Sequence, residues 1–152
     1  MKRTILYIAA LALLLLGGEG TDIGQLRPVE LVKLGENSGV LILETDTGDA
    51  GWGLTVDQAV TKLKATTPGE IYLDTAGYLL LEVGTEKYLP QLAGYLKKGT
   101  RTAYVTENVN LEEAVVYLRM HRPSGTIREG CKPAEVLMYE VGKLNLKIFQ
   151  EK

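Results

Sequence analysis

Apolar and polar positions change period several times along the chain, and each change predicts an element. PVELVKL, Pro28 to Leu34, alternates imperfectly, with Val29 and Leu31 inward and Glu30 and Lys33 outward, whereas GVLILET, Gly39 to Thr45, is a continuous β-prone run. GENSG between them is a turn signal, so the pair predicts a hairpin, with Pro28 at a first strand position where its missing N–H does little harm. Thr55 followed by Gln58 forms a capping box for a helix carrying Val56, Ala59, Val60 and Leu63 and running to about Ala65 before the TTPG turn. ETDTGDAGWG, Glu44 to Gly53, is therefore a strand-to-helix connection.

EIYLDTAGYLLLEVG, Glu70 to Gly84, predicts two short strands or a bent hairpin around Thr75, Ala76 and Gly77, and its leucines make it the central strand region. Thr85 caps a second helix with Tyr88, Leu89, Leu92, Tyr95 and Leu96 on one face; Pro90 delays its start to about Tyr88 or Leu89. TAYVTE, Thr102 to Glu107, is a strand, and Asn110 with Glu113 caps a third helix carrying Leu111, Ala114, Val115 and Leu118. His121 to Pro133 is an irregular connection. AEVLMYEVGKLNLKIF predicts a helix turn followed by an edge strand in which Leu144, Leu146 and Ile148 alternate with polar neighbours. Strands alternating with helices predict an α+β or α/β domain: a small mixed sheet with about three helices packed on it.

The leader changes the picture of where such a domain works. Lys2 and Arg3 precede an uncharged apolar run, Ile5 to Leu16, with the anatomy of a secretory signal. As a helix, the stretch to Gly18 would be roughly 21 Å long, short of the roughly 30 Å hydrocarbon core. Gly18 and Gly20 give a small-x-small pattern that places cleavage between Gly20 and Thr21; the alternative is an uncleaved membrane anchor. The expected organisation is thus a signal or anchor in residues 1–20 and one globular domain in residues 21–152. No cysteine stands just after the apolar run, so amino-terminal lipidation is not expected.

The full chain carries 17 basic and 19 acidic side chains; loss of Lys2, Arg3 and Glu19 leaves 15 and 18, a formal charge of −3. That balance predicts no grip on nucleic acid or on an anionic membrane surface. Cys131 is the sole cysteine and allows no internal disulfide, and His121, the sole histidine, lies in another element, so the pair predicts neither a nucleophile–base couple nor a zinc site. No cofactor fingerprint is present, and neither catalytic nor metal-binding residues are assigned.

The acidic loop is the best place for a ligand, although Asp46 and Asp49 lack calcium-loop spacing and no phosphate-loop lysine follows. Trp52, between two glycines, either folds back on the sheet or offers a partner contact. Asp74, at a strand end, completes the set of candidate contacts Asp46, Asp49, Trp52 and Asp74. A carboxylate enzyme would draw on Glu44, Asp46, Asp49, Asp74 and Glu82.

The order of these features resembles a known family. A secretory leader, a hairpin, a helix start with Gly53, Thr55, Val56 and Ala59, then EIYLDTAGYLLLEVG, a helix and a short strand are similar to the amino-terminal domain of the C-subunit lipoproteins of bacterial spore germinant receptors, over about residues 29–122. The family carries a lipid-modified cysteine where this chain has Gly17 to Gly20, and it continues into further domains. The resemblance implies an unlipidated, stand-alone relative: a non-catalytic membrane-surface accessory of spore germination or a related envelope process.

The function expected is an exported accessory or binding domain at the bacterial envelope, extracytoplasmic, either secreted or held on the outer face of the cytoplasmic membrane. Its partners would be an envelope protein and, with the leader uncleaved, the membrane itself. Two alternatives stand beside it: an exported carboxylate-dependent hydrolase, and an interaction protein that oligomerises through the edge strand at Leu144 to Phe149.

Overall fold

The computed structural model describes residues 26–129 and 132–151. The leader, the cleavage position at Gly20 and Thr21, and Cys131 lie outside the described residues. The chain order is β1 (Leu26–Pro28), β2 (Leu31–Asn37), β3 (Val40–Thr45), β4 (Ala50–Gly53), α1 (Val56–Thr66), β5 (Glu70–Tyr72), β6 (Tyr78–Glu82), α2 (Leu89–Leu92), β7 (Arg101–Val105), α3 (Leu111–Met120), β8 (Glu135–Glu140) and β9 (Lys143–Ile148). Seven strands form one mixed sheet in the order β4-β3-β2-β6-β7-β8-β9, and β1 pairs with β5 beside it. The four central strands β2, β6, β7 and β8 are parallel; β3 and β4 continue antiparallel on one side and β9 on the other. This is an α/β-type mixed sheet with three helices, as the alternation of strands and helices predicts.

Alternate residues of the central strands face opposite layers. Val32, Leu34, Leu79, Leu81 and Tyr104 lie under α1 and α2 on one face, while Leu31, Leu80, Ala103, Val105 and Leu137 lie under α3 on the other. The steps from β6 to β7 and from β7 to β8 run in the same direction across the sheet, yet α2 and α3 cover opposite faces. The two crossovers therefore have opposite hands, against the near-universal right-handed rule. The chain after α3 runs antiparallel beside the start of β7, with Thr126 bridged to Arg101, Thr102 N–H donating to Gly125 and Ile127 N–H to Thr100 (3.0 and 2.8 Å), and it buries Ile127 on the α1–α2 face.

Two of the three expected N-caps form, those of Thr55 and Asn110. Thr55 Oγ1 accepts from Gln58 N–H (3.2 Å), Gln58 Oε1 accepts from Leu54 N–H (2.9 Å), and Asn110 Oδ1 accepts from Glu113 N–H (3.0 Å). The first hairpin also forms, but its turn is only Ser38 and Gly39, both at positive φ (52° and 81°), so Gly35 to Asn37 belong to β2 rather than to the turn. Pro28 ends β1 instead of opening the hairpin strand. The second helix is four residues long, preceded by a 3₁₀ turn at Glu86–Tyr88, and Thr85 Oγ1 bonds back to the Glu82 carbonyl (2.7 Å) rather than capping it. EVLMYE is β8, not a helix turn: Val141 and Gly142, both at positive φ, fold it into a hairpin with β9.

β9 lies at one edge of the sheet, as the alternation around Leu144 predicts, and that edge is blunted. The outward N–H of Leu146 donates to Tyr117 Oη on α3 (2.9 Å), while Lys147 and Asn145 both hold Glu140. Tyr117→Phe is expected to cost about 1 kcal/mol, one hydrogen bond, and to speed amide exchange at Leu146 selectively. Denaturant titration and hydrogen exchange read both; unchanged exchange at Leu146 would refute the pairing.

Candidate functional site

The acidic loop holds a strand that sequence periodicity missed. After a turn with Gly48 at φ 85°, Ala50–Gly53 form β4, the edge strand opposite β9. Gly51 and Gly53 let α1 lie directly on it: a Cβ at Gly51 would stand 2.2 Å from the Ala59 carbonyl oxygen and 2.4 Å from Leu63 N, and one at Gly53 2.5 Å from Gln58 Cβ. The glycines serve helix–strand contact, not a ligand.

The aspartates of the loop are engaged by the fold itself. Asp46 Oδ1 accepts from both Glu30 N–H and Leu31 N–H (3.1 Å each), fixing the entry into β2, and Asp49 Oδ2 accepts from Thr47 Oγ1 (2.7 Å). Asp46 and Asp49 line a shallow cavity of about 290 Å³ against the first turn of α3. Asp74 is exposed on the 3₁₀ turn Leu73–Thr75 and shares no described cavity with them. Trp52 lies across from Ile42 on β4, half exposed, with Lys62 Nζ 5.0 Å from its ring centre. His121 closes α3 and stacks on Tyr117 (4.5 Å between ring centres).

A different set of residues converges at the carboxyl ends of the parallel strands. Because β6 leads to a helix on one face and β7 to a helix on the other, a crevice opens between their carboxyl ends, the position at which open α/β sheets take ligands. It is a groove of about 500 Å³ lined by β2 and β3 through Lys33, Gly35 and Glu44, by Glu82 at the end of β6, and by Thr106 and Glu107 after β7. α3 covers the other half of this sheet face and leaves this half open.

Lys33 is the centre of the groove. Its expected outward position is corrected: the side chain is 6 % exposed, with Nζ 3.1 Å from Glu44 Oε2 and 3.6 Å from Glu82 Oε1. The cause is register, since Lys33 faces Glu44 across the hairpin and Leu80 across the parallel pair, which brings Glu82 into reach one strand-face position further on. Glu82 Oε2 accepts from Glu36 N–H (3.3 Å), and Gly35 is what admits that carboxylate, because a Cβ there would stand 2.7 Å from it. At the rim Glu36 pairs with Lys87 (3.5 Å) and, ahead of a contribution from Tyr88, holds the Lys87 ammonium above its ordinary value. Glu107 accepts from Tyr139 N–H (2.6 Å).

Family models, curated proteins and solved structures give no match to this chain. The site is therefore read from its own geometry. Of the five carboxylates available to an enzyme, the fold unites Glu44 and Glu82 around one ammonium and leaves Asp74 apart. Among the described residues no three His, Cys, Asp or Glu side chains are grouped to hold a metal ion, and no helix is long and apolar enough to cross a membrane.

Lys33 could have been found from sequence by one observation: with the turn set at Ser38-Gly39, opposite charges at 33 and 44 become direct cross-strand neighbours. Glu82 had no such signal, because its place depends on pairing between strands far apart in the chain.

Proposed function

We propose that this chain is an exported accessory domain of the bacterial envelope that works by binding, and that the Lys33–Glu44–Glu82 groove is its ligand face. The observation that carries this reading is the groove at the carboxyl ends of the parallel strands, whose polar groups are already ordered. Lys33 fixes two carboxylates, Gly35 seats one of them against the backbone, and Glu36 and Glu107 add acceptors at the rim. Four carboxylates against one buried and one rim lysine favour a ligand that presents a basic group, an amine or a guanidinium on a small molecule or peptide. The extracytoplasmic setting rests on the leader, and the tie to spore germination rests on the sequence resemblance.

A carboxylate-dependent hydrolase is the second reading, favoured by the meeting of Glu44 and Glu82. Against it, Glu44 accepts from Lys33, and Glu82 is ion-paired to Lys33 and accepts from Glu36 N–H, whereas a hydrolase needs one of them free to exchange a proton with substrate. Oligomerisation through β9 is opposed by the Tyr117 hydroxyl on that edge.

Titration of the isotopically labelled chain with a tri-arginine peptide tests the groove. The expected amide shifts fall on Gly35, Glu36, Glu82, Thr106 and Glu107, and Glu36→Gln with Glu82→Gln weakens binding at least about tenfold, two charge contacts at about 1.4 kcal/mol per factor of ten. Shifts confined to other surfaces, or none at millimolar peptide, would overturn the reading.

A further inference from the structure

Net charge conceals a segregation of charge between the two ends of the sheet. The carboxyl ends of the parallel strands hold Glu36, Glu82 and Glu107, with Lys33 and Lys87 paired among them, whereas cations gather at the amino ends of β6 and β7. Lys97, Arg101 and Arg122 line a cavity of about 230 Å³ there, and Lys98 and Arg128 line a neighbouring one of about 530 Å³ that shares Gly99. Among the described residues no acidic side chain lines either cavity.

The placement follows from the fold. Arg101 N–H donates to Gly77, Thr100 Oγ1 to Ala76 (2.7 Å) and Ile127 N–H to Thr100, so the loop before β7 and the strap after α3 are laced to the start of β6, and their cations meet on one edge. Arg101 is pinned by its Nη1 to the Pro123 carbonyl (2.7 Å), while Lys97, Lys98, Arg122 and Arg128 are exposed. Two acids lie nearby: Glu30 is paired with Arg119 through two hydrogen bonds, and Glu135 accepts from Ser124 N–H (2.7 Å) and keeps its charge. Glu70 and Asp74 are exposed carboxylates on the β5 side of the same end.

We propose that this basic edge lies against an anionic lipid surface, turning the acidic groove at the opposite end away from the membrane. The proposal rests on the extracytoplasmic reading above for its choice of a bilayer over other polyanions. The described chain also enters the fold at this end: β1 ends at Pro28, and the Glu30 carbonyl accepts from the Gly77 and Tyr78 N–H groups at the start of β6 (2.9 and 3.1 Å). Leu16, the end of the apolar leader run, is ten steps along the chain from Leu26, a reach of at most about 36 Å. An uncleaved leader would hold this end near the bilayer, and a cleaved one would leave the cations as the membrane contact. Juxtamembrane cations contribute about a fivefold gain in partition each, within a Debye length of the surface.

The test is cosedimentation of the processed chain, Thr21 to Lys152, with vesicles of phosphatidylcholine with and without phosphatidylglycerol, at low and high ionic strength. Among the described residues both core clusters are built from Leu31 and Val29 onward, so the processed chain contains them. The expected result is binding only to phosphatidylglycerol vesicles at low ionic strength, falling at least about tenfold in Lys98→Gln/Arg122→Gln/Arg128→Gln. Lys62→Gln/Lys64→Gln/Lys143→Gln, an equal charge change elsewhere, is expected to retain it. Equal loss in both triple variants, binding to phosphatidylcholine alone, or full displacement by inorganic phosphate or an oligonucleotide at equal charge concentration would overturn the proposal. The assay reads the edge whatever the fate of the leader. The leader is read separately, from the intact mass of protein recovered from the medium and membrane fractions of a secretion host, so failure of the extracytoplasmic reading is distinguishable from failure of the edge.

Discussion

Replacing Gly51 by alanine is expected to cost at least about 3 kcal/mol, a large part of the 5–15 kcal/mol that holds a domain of this size together. The added methyl would stand 2.2 Å from the Ala59 carbonyl oxygen and 2.4 Å from Leu63 N, both backbone atoms of α1. Neither can turn aside as a side-chain end would, so the helix must lift from β4, and Ala59, Val60 and Leu63 lose part of their burial on the sheet. Gly48→Ala is the control within the same loop: nothing lies within 4 Å of its Cβ position, and the cost is only the left-handed conformation at φ 85°, about 1 kcal/mol. Gly53→Ala falls between them, since the nearest atom is Gln58 Cβ at 2.5 Å. Urea midpoints at constant m-value rank the three. A Gly51→Ala variant within about 1 kcal/mol of the parent would mean that α1 does not rest on β4 as described.

That comparison also marks how far the sequence could be read. Thr55 with Gln58 and Asn110 with Glu113 were legible because a cap is a local bargain between a side chain and a backbone N–H three residues away. β6 as the centre of the sheet was legible because a strand buried on both faces has to be apolar throughout. β4 was not: Ala-Gly-Trp-Gly offers no alternation and has two residues depleted in strands, and its glycines make sense only once α1 is laid across them. β8 was misread for the reason that Ala, Glu, Leu and Met all favour helices, and pairing with β9 and β7 overrode that preference. The acidic loop drew attention by composition, but its aspartates hold the entry to β2 and the turn. The groove went unseen because it needs the register of β2 against both β3 and β6, and because a lysine between a valine and a leucine reads as a surface position until its neighbours are known. The even charge balance hid the basic edge in the same way, since a sum over the chain carries no positions.

Lys33→Met is expected to lower stability by about 1–3 kcal/mol and, at the same time, to tighten binding of a basic ligand. Removing one partner of a buried ion pair costs about 3–5 kcal/mol when the other stays buried and unpaired. Here Glu44 and Glu82 are 40 % and 41 % exposed, so water recovers part of that cost. What remains is the repulsion of two carboxylates on β3 and β6, the strands either side of β2, with no cation between them, and the loss of the contact that holds Glu82 over Gly35. Adding Glu44→Gln and Glu82→Gln should restore most of the stability, because no unpaired charge is then left at the centre of the groove. The two readouts separate a structural lysine from one that tunes a binding site. If Lys33 only braces the sheet, the single variant loses stability and its affinity for the tri-arginine peptide stays flat or falls with the disordered groove. If the groove selects basic groups, the lysine competes with the ligand for the same carboxylates. Its removal then raises affinity by about three- to tenfold, up to about 1.4 kcal/mol of released competition, and the triple variant, with most of its stability restored, no longer binds.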